Sequence, residues 1–195
     1  AQMVNAGCQS AIMEVSSHGL VQRRTWGIDY DVAVFTNLTH DHLDYHQTVD
    51  GYYEAKSLLF RGLRGRPGQT ALINLDDRHG PRLLELAAKH ASAIAYGIQH
   101  PRAQIRAVNL QLSPRGSVFD AVTPWGTLPL RLRLLGRFNV YNALAALGAC
   151  AALGVDLQRR ERDGWVLLAT AAGDADANRD ADANRDTDTD TDTDA

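Results

Sequence analysis

The sequence predicts an α/β protein: a mostly parallel sheet flanked by helices, with a small antiparallel sheet. Three observations predict it. Short apolar runs with β-branched or aromatic residues occur at 11–15, 31–36, 70–75 and 93–96. Segments of helical period lie between the later ones. The stretch 103–134 instead alternates polar and apolar residues around two turn signals.

The first run, Ala-Ile-Met-Glu-Val at 11–15, reads as a short buried strand, and Asp-Val-Ala-Val-Phe-Thr at 31–36 as a second. A helix is expected over 48–60, capped by Thr48 or Asp50, with Tyr52, Ala55, Leu59 and Phe60 toward a core. Thr-Ala-Leu-Ile-Asn-Leu at 70–75 is apolar enough for a third buried strand. A helix from about 78 to 90 and a fourth strand at 93–96 follow. Ser113-Pro114-Arg115-Gly116 and Pro124-Trp125-Gly126 mark hairpin turns, so 103–134 folds as antiparallel strands. An Ala/Leu-rich helix then spans 138–153 and stops at Gly154, a residue suited to the position just past a helix end.

The organisation expected is one domain over 1–157 and an acidic tail over 158–195. In the tail, Ala-Asp-Ala-Asn-Arg-Asp occurs at 175–180 and again at 181–186, and a Thr-Asp alternation runs to the end. Such composition cannot bury enough apolar surface to fold, so disorder is expected. Calcium binding by these aspartates lacks the glycine turn and ligand order of calcium loops. Nine Asp and two Arg between 174 and 194 leave the remainder of this chain of net charge −3 mildly basic. A mildly basic body suits phosphate-bearing ligands and is equally compatible with a solvated Arg surface. No basic run with interleaved aromatics points to nucleic acid. No apolar stretch is long enough to span a membrane, and no signal peptide opens the chain, so a cytoplasmic protein is expected. Cys8 and Cys150 are too few and too far apart for a disulfide framework. They are expected to be free, mostly buried thiols.

Three clusters carry potential chemistry. In Glu14-Val15-Ser16-Ser17-His18-Gly19-Leu20 an acid follows a strand-like run and precedes a small polar loop. That suits the carboxyl edge of an α/β sheet, where ligands bind, and equally suits a helix cap with a serine turn. In Thr36-Asn37-Leu38-Thr39-His40-Asp41-His42-Leu43-Asp44-Tyr45-His46, three of seven histidines and two aspartates crowd behind the second strand. Zinc, magnesium or plain surface polarity are the readings: such density could bind zinc, though no Cys lies nearby, and the carboxylate-rich setting also suits Mg²⁺. Lys56 is one of two lysines against eighteen arginines. An amine can lose its charge and react with carbon dioxide to form a carbamate, which a guanidinium cannot do; a surface lysine is the bland alternative. More weakly, Asn139 and Asn142 stand three apart on one helix face, suited to a purine edge or to capping.

Together these segments resemble the Mur ligase family, and within it the MurE ligases. The resemblance rests on Glu14–Leu20 with Gln22 and Arg24, on 34–46, on 53–60 and on 136–146, in that order, and covers roughly 1–157. It implies an incomplete central ATP-binding domain. The implied parent activity is ATP-dependent addition of a third amino acid, meso-diaminopimelate or L-lysine, to UDP-N-acetylmuramoyl-L-alanyl-D-glutamate in peptidoglycan synthesis. It further implies Glu14 and His42 as Mg²⁺ ligands and Lys56 as a carbamylated lysine serving a second Mg²⁺. Ser16, Gln22 and Arg24 become contacts to the UDP-MurNAc-peptide, and Asn139 and Asn142 contacts to the nucleotide. His40 stands where relatives often carry Arg and is assigned no role.

In such ligases a substrate carboxylate attacks the γ-phosphate of ATP, and an amine displaces phosphate from the acyl phosphate; bringing two anions together is the main electrostatic demand. The 195 residues contain no Gly-rich loop ending in Gly-Lys-Thr or similar. The chain also opens on Ala rather than Met. The expectation is therefore a monomeric fragment, truncated on its N-terminal side and inactive by itself. The alternative is a non-catalytic module that binds nucleotide or UDP-MurNAc-peptide.

Overall fold

The structure is a computed structural model and describes residues 2–38, 48–155 and 157. The described elements run α1 (Gln2–Asn5), α2 (Ser17–Val21), β1 (Val32–Phe35), α3 (Val49–Arg61), β2 (Thr70–Asn74), α4 (Gly80–Ala87), β3 (Ser92–Gly97), β4 (Ile105–Ser113), β5 (Gly116–Thr123), β6 (Gly126–Leu132) and α5 (Arg137–Ala152). The strands form one sheet in the order β1-β2-β3-β4-β5-β6. β1 to β4 pair in parallel, and β4, β5 and β6 pair antiparallel. The antiparallel strands expected from 103–134 thus extend the parallel sheet.

Because β1, β2 and β3 advance across the sheet in one direction, right-handed crossovers put both connecting helices on the same face. Strand alternation fits this. Ala33, Phe35, Ala71 and Ile73 pack with Tyr53, Phe60 and Leu63 from α3 and the turn after it, and with Leu83 and Ala87 of α4. Leu72, Tyr96, Ile105, Phe119 and Leu130 face the other way and pack on Val140, Ala143, Leu144 and Leu147 of α5. β2 is buried along its whole length, as its apolar run predicts for a strand covered on both faces. Each fully buried Leu, Ile or Phe contributes about 1.5–3 kcal/mol. At Gly148, α5 lies so close to the sheet that a Cβ would stand 2.8 Å from Ile105 Cδ1 and 3.0 Å from Leu72 Cδ2.

Local chemistry sets most boundaries. Thr48 caps α3, its hydroxyl accepting from the Gly51 N–H at 3.0 Å, and Asp50 sits in the first turn instead. α4 is shorter than the 78–90 expected. Asp77 Oδ1 accepts from the His79 N–H at 2.8 Å and holds a turn ahead of the helix, where Pro81 starts it. α5 ends at Gly154, whose φ of +77° is the left-handed conformation expected there.

One expected strand is absent. Residues 11–15 form no described strand: Ile12 is fully exposed, Met13 is exposed, and no described strand pairs with them. An apolar run becomes a strand only with a ladder partner, and among the described residues β1 is bonded to β2 alone. Both cysteines are free, as expected, but Cys8 is exposed and Cys150 half-buried. The acidic repeats of the expected tail lie outside the described residues. No described helix is long and apolar enough to cross a membrane.

Candidate functional site at the carboxyl edge of the sheet

The segments that leave β1, β2 and β3 at their carboxyl ends are tied together by side chains. Asn74, the last residue of β2, donates from Nδ2 to the Thr36 carbonyl at 2.8 Å and accepts from the Asp76 N–H at 3.0 Å. Tyr96 donates its buried hydroxyl to the Phe35 carbonyl at 3.0 Å. Asp77 Oδ2 accepts from the Leu38 N–H at 2.8 Å. The chain entering the His/Asp-rich segment is therefore fixed at residues 35, 36 and 38 by groups from the neighbouring strands.

Asp76 organises the next connection. β3 and β4 are parallel neighbours joined only by residues 98–104, far shorter than the dozen or more residues a parallel crossover needs. The register is strongly offset, with Tyr96 opposite Ile105, so β4 begins where β3 ends. The turn exposes three successive N–H groups, and the Asp76 carboxylate accepts all three, from Ile98 at 2.6 Å, Gln99 at 2.9 Å and His100 at 2.7 Å. Tyr141 of α5 donates to the same carboxylate at 2.8 Å. Burial works against the charge, but the donors of Gln99, Ile98, Tyr141 and His100 outweigh it and hold the carboxyl below its usual range. Burial, and then Asp76 itself, push the Tyr141 hydroxyl well above the usual phenol range.

On the other face, Arg82 in the first turn of α4 reaches Asp50 at 3.3 Å and Glu54 at 3.1 Å, with its guanidinium 4.0 Å from the centre of the Tyr53 ring. These contacts hold the first turns of α3 beside the start of α4, which follows the carboxyl end of β2. Lys56, half-buried, lies one turn beyond Tyr52 with its ammonium 5.2 Å from that ring's centre.

α2 packs on α3. Ser16 caps α2, its hydroxyl accepting from the Gly19 N–H at 3.1 Å, and Gln22 closes the helix at its other end. Glu14 lies just ahead of the cap, in irregular backbone and exposed rather than at a strand end; Arg24 lies just beyond the helix, also exposed. Residues 17–21 are thereby brought beside the helix that carries Lys56, and Met13, next to Glu14, accepts at its Sδ from the Tyr30 hydroxyl at 3.5 Å. His42, with the rest of 39–47, lies outside the described residues. Asn139 and Asn142 are half-buried at the start of α5, on the opposite face of the sheet from α3. Asn139 donates to the Leu135 carbonyl at 2.7 Å, so its amide N–H already serves the helix start.

Among the described residues no group of three His, Cys, Asp or Glu side chains could hold a metal by itself. Of the groups expected to take magnesium, the described residues show one carboxylate, that of exposed Glu14, the oxygen-donor class that magnesium takes. Asn74, Asp76, Asp77 and Tyr141 escape a reading of the sequence that looks for dense His, Asp and Lys. The available signal for the first three was the run Asn74-Leu75-Asp76-Asp77 at the end of the apolar run 70–75.

Residues 1–150 match the family described as the Mur ligase middle domain. The chain belongs to that family. It is 47% identical over 157 residues to the UDP-N-acetylmuramoyl-L-alanyl-D-glutamate–2,6-diaminopimelate ligase of Geobacter metallireducens, covering 78% of this chain and 30% of that protein. The corresponding ligase of Listeria monocytogenes is 44% identical over 162 residues, covering 80% and 32%. A solved structure of a ligase of the same name superposes with a TM-score of 0.71 at 38% identity, covering 79% of this chain and 31% of that one. The chain thus spans about a third of the length of the relatives it matches. The mostly parallel sheet with its flanking helices is the fold of this middle domain.

Proposed function

We propose that residues 1–157 are the middle domain of a MurE-type ligase. Such a ligase couples ATP hydrolysis to adding a third amino acid to UDP-N-acetylmuramoyl-L-alanyl-D-glutamate, in the cytoplasm and as a monomer. In this reading Glu14, His42 and a carbamate on Lys56 hold Mg²⁺. Ser16, Gln22 and Arg24 face the UDP-MurNAc-peptide. Asn139 and Asn142 face the nucleotide, with Asn142 taking the base because the Asn139 amide is engaged with Leu135. The magnesium would neutralise the approach of two anions; the protein's own part is to hold the ligands and order the segments that carry them.

The observation that supports the reading is the packing of α2, which begins directly after Ser16, on α3, the helix that carries Lys56. The names of the relatives, at 44% and 47% identity, support the substrate class.

Because the 195 residues hold no Gly-Lys-Thr phosphate loop, the chain by itself is proposed to bind without turnover. Phosphate release is measured with ATP, Mg²⁺, UDP-MurNAc-dipeptide and either diaminopimelate or lysine, alongside calorimetric titration of each ligand. Binding without phosphate release is the expected result. Turnover that disappears in Lys56→Ala contradicts the inactive reading, and failure of both ligands to bind at millimolar concentration contradicts the ligand-site reading.

A further inference from the structure

We propose that Asp76 is a positioning residue for nucleotide recognition: through Tyr141 it fixes the first turns of α5, and with them Asn142, to the carboxyl edge of the sheet. The inference rests on the nucleotide reading of Asn142 given above.

The start of α5 is weakly held by its own sequence. Gly136 at its N-cap supplies no side-chain hydrogen bond, and the first turn has no acidic residue to complement the helix dipole. Phe138 leaves about half its surface, 52%, exposed. Asn139 bonds locally, its side chain donating to the Leu135 carbonyl and its backbone N–H to that of Gly136. Rotation of the helix is set further along by Val140, Ala143, Leu144 and Leu147, which are buried against the sheet. That apolar contact is non-directional and tolerates small sliding along the helix axis. The bond from Tyr141 to Asp76, 2.8 Å long and to a charged acceptor, does not. Asp76 is in turn held by three backbone N–H groups of the 98–100 turn. The latch therefore joins the segment after β2, the β3–β4 turn and α5 at one carboxylate, through Tyr141, the residue before Asn142. None of its members needs to touch nucleotide.

Three forms of the full 195-residue chain test this: unmodified, Tyr141→Phe and Asp76→Asn. Each is titrated with Mg²⁺–ADP and, separately, with UDP-MurNAc-dipeptide, and amide hydrogen exchange is followed over 137–142 and 98–100. Tyr141→Phe removes one hydroxyl and leaves the half-buried ring in place. It is expected to weaken ADP binding about tenfold, the scale of one hydrogen bond to a charged group. Exchange over 137–142 should speed up, while affinity for the peptide substrate, which α2 would serve, stays within twofold. Asp76→Asn is expected to do the same and also to release 98–100. Equal weakening of both ligands indicates a merely structural role and overturns the proposal. So does ADP binding that Tyr141→Phe leaves unchanged. If the unmodified chain binds the peptide substrate but no ADP, the nucleotide reading of Asn142 falls, and this proposal falls with it.

Discussion

Asn74 Nδ2 donates to the Thr36 carbonyl at 2.8 Å, so the residue that closes β2 also fixes the first residue after β1. Asn74 is 5% exposed, and its other amide atom accepts from the Asp76 N–H. Asn74→Ala would leave the Thr36 carbonyl and the Asp76 N–H without these partners. A loss of about 1–3 kcal/mol is expected, read as a lowered urea midpoint at unchanged slope. A change under half of that range would mean that water replaces both bonds.

The Asp76 clamp gives stability a defined pH dependence. Its folded-state pKa lies below the ordinary value, so the ionised form favours the fold. The contribution is complete above the unfolded carboxylate pKa of about 4 and is lost as pH falls through the lower folded value. The urea midpoint should therefore drop on acidification below about pH 4, and the gap between the unmodified chain and Asp76→Asn should close over the same interval. A gap that stays constant down to pH 2 contradicts an ionised Asp76 in the fold.

Two glycines should respond differently to alanine. A Cβ at Gly80 would lie 2.0 Å from the Asn74 carbonyl oxygen, a backbone atom that cannot retreat without moving β2. Gly80→Ala is expected to cost roughly 1–3 kcal/mol or more. At Gly148 the Cβ meets the ends of Ile105 and Leu72, which can shift, and alanine returns about 1 kcal/mol of helix propensity. Gly148→Ala is expected to stay within about 1 kcal/mol of the parent. Thermal denaturation of the two variants side by side checks the order.

Lys56 offers a direct chemical test. In ¹³C-bicarbonate the unmodified chain should show a carbamate carbon resonance that is missing in Lys56→Ala and persists in Lys89→Ala. A circular dichroism spectrum of Lys56→Ala matching that of the unmodified chain ensures that a missing signal cannot be laid to unfolding. A signal unchanged in Lys56→Ala would remove the carbamate from the reading.

The sequence was most legible where one residue type fixes one local outcome. Thr48 announces the cap of α3, Gly154 the end of α5, and Ser113-Pro114-Arg115-Gly116 the first hairpin, because each depends on neighbours in the chain alone. It was least legible at 11–15, where the same apolar pattern that gave β1 and β2 gave no strand. The Asp76 latch was likewise hidden, since its partners lie 22 to 65 residues away and three of its four donors are backbone N–H groups, which no side-chain pattern records.

By itself, then, the chain determined its fold class, most of its element positions and its family, since periodicity, turn chemistry and ordered motifs are local properties of the sequence. Tertiary structure alone decided which face of the sheet carries each helix, that α2 lies against the Lys56 helix, and that a single carboxylate holds the short β3–β4 connection. The physical reason is that a buried hydrogen bond depends on where two distant groups meet after the core has packed, and no spacing along the chain records that meeting.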